Sequence, residues 1–178
     1  MTARAVFAVT LGFVAFAGSA EARPRPNGHI RGKAFEANKT FGLGLELGEP
    51  TGITGKYFLS EDRALDFGIG DAFAYGNRDG FHIYGDYLFH PVSLASTEAF
   101  ELPLFVGLGG RIWDFDNNGD TAVAFGFRVP VGISFDFNAI PLDAFIQVVP
   151  ILDIYSGYRA HSIYPDLNVS IGARYWFN

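Results

Sequence analysis

The chain has 178 residues, of which 49% are hydrophobic and 16% aromatic, and it contains no cysteine. This length fits about one domain, and the lack of cysteine excludes disulfides, thiolate metal ligands and thiol catalysis. The formal net charge of −6 argues against nucleic-acid binding, because recognition of a phosphate backbone needs a basic surface.

The first 22 residues have the features of a secretory signal peptide. Arg4 precedes an apolar run from Ala5 to Ala17, and the segment 19–22 supplies an A-x-A cleavage pattern. The apolar run is shorter than the roughly 20 residues that a transmembrane helix needs. We therefore predict a cleaved signal peptide at residues 1–22 and export of the remaining chain without a helical anchor.

A short basic segment follows at residues 23–39. It carries five basic side chains against the single acidic Glu36, whereas the chain from Thr40 onward has seven basic and seventeen acidic residues. Pro24, Pro26 and Gly28 disfavour regular structure in this segment. The composition predicts a flexible basic tail ahead of an acidic folded domain at residues 40–178.

From Thr40 to the end, apolar residues alternate with glycine, alanine and polar residues at a period of two, which is typical of β-strands. Turn-forming sequences separate the runs, and no helical pattern lies between them. The predicted strands cover residues 41–48, 53–60, 65–73, 81–90, 101–113, 122–136, 142–154 and 166–178. Longer connections are expected at residues 91–100, 114–120 and 157–165. Short connections predict an antiparallel up-and-down order, and an even strand count allows the sheet to close.

Three prolines fall inside predicted strands of a sheet that has no free edge. Pro103, Pro130 and Pro150 each lack the N–H group that a ladder of hydrogen bonds requires. We expect bulges or water-filled breaks in the ladder near these residues.

The period of two leaves open which face of the strands points inward. The sixth predicted strand places Phe125, Phe127 and Phe135 on one face together with four β-branched residues, and an eight-stranded barrel has interior space for only one set of side chains. The apolar face is therefore predicted to point outward into lipid. The resulting fold class is all-β, an eight-stranded antiparallel up-and-down transmembrane β-barrel. The alternative is a soluble lipocalin-like periplasmic binding protein with its apolar face inside.

Charged residues occur among the small residues of the opposite face. Buried charges persist when they are paired, and both signs are present on this face. We predict a salt-bridge network in the barrel lumen that is formed by Glu46, Lys56, Asp66, Asp86, Arg111, Arg128 and Arg174.

The last predicted strand resembles the C-terminal assembly signal of outer-membrane β-barrels. That signal has a polar residue, a glycine and two aromatic residues, and the matching positions are Ser170, Gly172, Tyr175 and Phe177, with Asn178 following the final aromatic. The resemblance implies that the barrel-assembly machinery recognises the C-terminal strand.

Over residues 40–178 the chain resembles the small eight-stranded outer-membrane barrels of the OmpA, OmpX and OmpW kind. The segments GEPTGITGKYFL, GDYLFH, RVPVGISF, PLDAF and DLNVSIGARYWF are most similar to a bacterial family of uncharacterised outer-membrane barrels. The resemblance implies location in the bacterial outer membrane, contact with outer-membrane lipid, and a structural role or ligand binding through surface loops. No peptidoglycan-binding domain follows Asn178, so a tethering role is not expected.

Catalytic and metal-binding patterns are weak in this sequence. Asp114, Asp116, Asn118 and Gly119 match the first half of a calcium loop, but Phe125 stands where the bidentate glutamate belongs. His161 and Ser162 are sequence neighbours, which point to opposite faces in a strand. We predict no metal site, no cofactor and no enzymatic activity.

Binding through the outer loops is predicted to use aromatic residues. The candidates for contact with an extracellular ligand are Trp113, Tyr155, Tyr158 and Tyr164. A lipid-modifying outer-membrane enzyme and a narrow channel are the alternative functions.

Overall fold

The computed structural model describes residues 34–72, 80–117, 120–156 and 163–177. These residues form nine β-strands, which are β1 (Phe41–Gly48), β2 (Thr51–Ser60), β3 (Arg63–Ala72), β4 (Gly80–Ser96), β5 (Phe100–Asn117), β6 (Asp120–Arg128), β7 (Val131–Phe137), β8 (Leu142–Ser156) and β9 (Ile163–Phe177). In the described ranges there is no helix of the length and apolarity needed to cross a membrane.

The strands pair in one antiparallel sheet that closes on itself as a ring. Strands β1 to β5 pair with their neighbours in chain order, β8 pairs with β9, and β9 returns to pair with β1. Strands β6 and β7 share one position, because both pair with β5 on one side and with β8 on the other. The prediction of an all-β antiparallel sheet is confirmed, with eight positions around the ring.

The sixth predicted strand is two strands, and the prediction of a single strand is wrong at this point. Val129 and Pro130 separate β6 from β7 because proline has no N–H group to give to the ladder. The break keeps two backbone hydrogen bonds, since Gly107 N–H donates to the carbonyl of Pro130 at 2.8 Å and Val129 N–H donates to that of Pro150 at 3.0 Å. Pro150 itself lies inside the continuous strand β8, opposite Leu167.

Two predicted connections are largely strand in the structure. The predicted connection 91–100 is occupied up to Ser96 by β4, whose register shifts between Phe89 and Val92 and again between Ser93 and Ser96. The first shift accommodates Pro91, after which Val92 pairs with Leu104, and the second lies beside the pairing of Ser93 with Pro103. The predicted connection 114–120 is likewise shortened, because β5 extends to Asn117 and β6 begins at Asp120.

The two faces of the sheet differ sharply in chemistry. Large apolar side chains point away from the ring interior, with exposed fractions of 57% for Leu108, 51% for Phe127 and 52% for Ile171. The interior holds the buried charged residues and a small apolar cluster of Ala64, Leu88, Phe105 and Phe145, with Phe58 packed against it. The apolar-inside arrangement of a lipocalin-like protein is therefore not the arrangement observed.

Gly48 ends β1 with a backbone φ of 129°, a conformation that side chains rarely adopt. A Cβ at this position would also meet the carbonyl oxygen of Val169. We expect Gly48→Ala to lower the free energy of unfolding by about 1 kcal/mol or more, measured by urea unfolding. Gly85→Ala in β4 is the matched control, because a Cβ there would have no heavy atom within 4 Å. Equal effects of the two changes would contradict this account.

Candidate functional site

The polar interior of the ring contains all seven residues that the sequence predicted for the lumen. Each is at most 5% exposed, and they come from seven of the nine strands. The period of two places them there, because each stands on the face opposite the outward apolar residues. For description, the near end of the ring is where β1 begins and β9 ends, and the far end is the opposite one.

Two arginines pair with aspartates across the interior. Arg174 Nη1 donates to Asp66 Oδ1 at 2.6 Å, and its Nε lies 3.8 Å from Asp143 Oδ1. Arg128 Nε donates to both carboxylate oxygens of Asp86, at 3.1 and 3.2 Å. Each guanidinium group also covers an aromatic ring, that of Phe145 or of Tyr84, within 4.1 Å of the centroid. The Arg174–Asp66 and Arg128–Asp86 pairs join strands that are not neighbours in the sheet.

Arg111 binds two carboxylates towards the far end. Its Nε donates to Asp153 Oδ1 at 3.0 Å, and its Nη2 donates to Asp153 Oδ2 at 2.5 Å and to Asp166 Oδ2 at 2.6 Å. Asp153, Asp166 and Asp143 were not among the residues predicted for the network. Asp153 and Asp143 stand on the same alternating face of β8 as Gln147, and this signal could have identified them.

Glu46 is held by three uncharged donors. Tyr84 Oη donates to Glu46 Oε2 at 2.6 Å, Gln147 Nε2 donates to Oε1 at 2.8 Å, and Ser170 Oγ also donates to Oε1. These donors come from β4, β8 and β9, so the interior is crossed at this level by hydrogen-bonded side chains.

Lys56 differs from the predicted ion pairing in its contacts. Its Nζ donates to His90 Nε2 at 3.2 Å and lies 4.7 Å from the centroid of the Phe105 ring. An aromatic environment can hold an ammonium group through cation–π attraction. The histidine contact was not predicted, because Lys56 and His90 are joined by the geometry of the ring and not by sequence spacing.

Residues 34–40 cover the near end of the ring, and we call them the N-terminal plug. Phe35 is 3% exposed, with its ring centroid 5.8 Å from that of Phe58 and 5.2 Å from that of His90. Lys39 Nζ donates to Asp136 Oδ1 at 2.6 Å and lies 5.7 Å from the centroid of the Trp176 ring. Residues 34–39 of the segment predicted to be a flexible tail therefore contact the ring, while residues 23–33 lie outside the described part of the chain.

The plug can be tested with a cysteine reporter, since the chain has no native cysteine. Ser134, 3% exposed on β7, is the reporter position as Ser134→Cys. We expect Phe35→Ala with Lys39→Ala to raise its labelling by a polar maleimide at least about tenfold, because the lost packing allows local opening. Glu36→Ala, at an exposed position of the same segment, is the control and should leave the rate unchanged. Equal rates in all variants would show that the plug does not shield the interior.

The structure does not support an exposed loop position for Trp113. This residue lies within β5 and is 6% exposed, and its ring is 5.3 Å from Arg111 Cζ. β5 continues past the expected turn to Asn117, so Trp113 lies inside the strand. Tyr164 is 51% exposed but lies on β9 and not in a loop. Tyr158 and the side chain of Tyr155 lie outside the described residues.

The residues of the predicted assembly signal alternate between the two faces of β9. Ser170 points inward to Glu46, and a side chain at Gly172 would collide with the ring of Phe145. Phe177 is 45% exposed on the outward face and stacks on Phe41 of β1 at 6.0 Å between centroids. Ser170 and Gly172 of the motif therefore face the interior, while Phe177 contacts β1, the strand with which β9 closes the ring.

The side chains that could bind a metal ion or take part in catalysis are considered next, within the part of the chain that is described. It contains no cluster of three histidine or acidic side chains suited to a metal ion. His82 and His90 are both buried, at 0% and 1% exposure. His161 and Ser162, and Asn118 and Gly119 of the incomplete calcium pattern, lie outside the described residues. Comparison of the chain with protein-family models, curated proteins and solved structures finds no match.

Proposed function

We propose that this chain is a structural β-barrel protein of the bacterial outer membrane, exported through a cleaved signal peptide. The observation that carries the proposal is the inverted distribution of side chains, with large apolar residues outside and ionic residues inside the ring. Soluble proteins expose apolar patches of only a few hundred Å². An uninterrupted outward apolar surface on a closed sheet is the pattern of a transmembrane barrel.

The apolar surface runs around the whole ring. Every strand contributes to it with exposed residues, among them Leu45, Ile53, Phe67, Ile83, Leu108, Phe125, Val131, Ile146 and Ile171. In water this surface would be unfavourable by about 25 cal/mol per Å². Hydrocarbon removes that cost, so outer-membrane lipid is the proposed partner of this face.

Among the described residues, several aromatic side chains lie in contact with one another at the near end. Phe100 stacks on Phe135 at 4.4 Å between centroids, Phe135 contacts Phe137 at 4.9 Å, and Tyr175 contacts Phe177 at 5.0 Å. Aromatic side chains form girdles at the membrane–water interfaces of transmembrane barrels. The near end is accordingly proposed to lie at a membrane–water interface.

The interior supports a structural role over conduction. The side chains around Glu46, the Arg174–Asp66 and Arg128–Asp86 pairs and the N-terminal plug occupy successive levels of the ring. A barrel of eight strands has an interior just wide enough for such side chains to fill. Binding of an extracellular ligand through the surface loops remains part of this proposal, as does recognition of β9 by the barrel-assembly machinery.

Heat-modifiable gel migration of the membrane-extracted protein tests the proposal. We expect the unheated protein to migrate faster than the boiled protein, because a closed barrel stays compact in detergent. A variant lacking residues 163–177 cannot make the β9–β1 pairing and should show one mobility. A signal-less form that is monomeric in plain buffer, with its phenylalanines shielded from water, would contradict the proposal.

A further inference from the structure

A layer of buried polar side chains lies on the far side of Glu46. His82 and Tyr84 are same-face neighbours on β4, and Asn168 and Ser170 are same-face neighbours on β9. Because Tyr84 and Ser170 both bind Glu46, His82 and Asn168 stand one step further towards the far end on opposite walls of the ring. Arg128, whose guanidinium covers the Tyr84 ring, borders the same layer.

This layer contains polar atoms that the described protein leaves without hydrogen bonds. They are both ring nitrogens of His82, both amide atoms of Asn168, and Nη1 and Nη2 of Arg128. All three side chains are at most 1% exposed. Buried polar groups in folded proteins are nearly always hydrogen-bonded to protein or to ordered water, so these atoms call for a partner that the described side chains do not supply.

Arg111 and Arg128 differ in the number of carboxylates that they bind. Arg111 binds two carboxylates, those of Asp153 and Asp166, through Nε and Nη2. Arg128 binds one, that of Asp86, through Nε alone, and its Nη1–Nη2 edge is free to form a bidentate pair. We propose that the layer formed by His82, Arg128 and Asn168 is a binding site for a small carboxylate, which would occupy this edge of Arg128.

The surroundings limit the ligand to a single negative charge. Arg128 is the cation that faces the site, since Arg111 is already paired with Asp153 and Asp166, and the carboxylates of Asp86 and Glu46 border the site on the near side. A dianion such as phosphate would be repelled more strongly by these carboxylates. Asn168 Nδ2 and one N–H group of His82 supply further donors to a carboxylate.

The site lies on the far-end side of Glu46. The N-terminal plug covers the near end, and the crossing hydrogen bonds of Glu46 lie between the plug and the site. On the far side stands the Arg111–Asp153–Asp166 group, and the side chain of Asp166 is 33% exposed. The inference concerns the interior of the ring and does not depend on the membrane that surrounds it.

Formate is a suitable probe because it is the smallest carboxylate. We propose to titrate ¹³C-formate into the folded, detergent-solubilised protein, with formate replacing chloride so that the ionic strength stays constant. The ¹³C chemical shift of formate should then change in a saturable way. Asn168→Leu is expected to weaken binding at least tenfold while leaving the unfolding midpoint without formate unchanged or higher, since it removes unpartnered polar atoms. Asn138→Ala, at a near-end turn, is the control and should keep the affinity.

The outcomes separate a binding site from a layer that holds only water. Binding that is lost in Asn168→Leu and in His82→Phe, but kept in Asn138→Ala, supports the proposal. A formate response that is not saturable, or that is the same in the two interior variants and the parent, overturns it. Lysine at position 128 would keep the positive charge but lack the pair of parallel N–H donors of the guanidinium group. If Arg128→Lys folds, we therefore expect it to weaken formate binding as well.

Discussion

Replacement of Arg174 by leucine is expected to lower the free energy of unfolding by about 3–5 kcal/mol, because it leaves buried carboxylates without a cation. Arg174 is 1% exposed and lies between Asp66 and Asp143, each 2% exposed. Neither aspartate can reach water without disrupting the ring. Equilibrium unfolding in urea, with the protein folded in detergent or lipid, measures the loss.

Two further variants distinguish a buried ion pair from a general effect of losing charge. Arg174→Leu combined with Asp66→Leu should recover most of the stability, since replacing both partners of a buried pair by apolar residues is often neutral. Arg63→Met removes an exposed arginine that donates to Tyr87 Oη at 3.4 Å, and we expect a change below about 1 kcal/mol. An Arg174→Leu effect as small as that of Arg63→Met would mean that the interior charges are solvated.

An arginine introduced at Leu108 is expected to cost about 2–4 kcal/mol if the outward face contacts hydrocarbon at its middle. Leu108 lies near the midpoint of β5, is 57% exposed and pairs with Tyr87 of β4. On a sheet surrounded by water the same change would be nearly neutral, because surface substitutions usually alter stability by less than about 0.5 kcal/mol. Reversible unfolding in phospholipid vesicles measures the difference.

The matched control for Leu108→Arg is Ile163→Arg. Ile163 is the first residue of β9 and is 66% exposed, so it shares the outward direction but lies at the far rim. Near a membrane interface an arginine costs only about 0–1 kcal/mol. Equal and small effects at both positions would contradict the membrane proposal, whereas a gradient with depth would support it.

The sequence was sufficient to predict which residues share a face, because the period of two is a local property. The alternation in 81–90 placed His82, Tyr84 and Asp86 on one face of a strand, and the structure buries all three. The break at Pro130 was flagged by the missing N–H group. The division into β6 and β7 also depends on two hydrogen bonds to residues distant in sequence. Gly107 N–H donates to the carbonyl of Pro130, and Val129 N–H donates to that of Pro150.

Pairing across the interior could not be predicted from the sequence. Whether Arg128 meets Asp86 or Asp66 depends on the stagger of the strands around the ring, which alternation does not specify. The N-terminal plug is a similar case, because the groups that hold Phe35 and Lys39 come from β2, β4, β7 and β9. Trp113 was predicted as a loop contact, whereas β5 continues past it to Asn117.

The pairing of β1 with β9, which runs from Phe41 opposite Phe177 to Gly48 opposite Ser170, has a consequence for the order of folding. The first strand of the ring has no partner on one side until the last strand arrives. Contacts between segments so far apart in the chain form slowly, since the intervening loop must first be closed. During that delay the exposed edge of β1 can pair with another chain, so a chaperone that holds the unfinished sheet should increase the yield of closed rings.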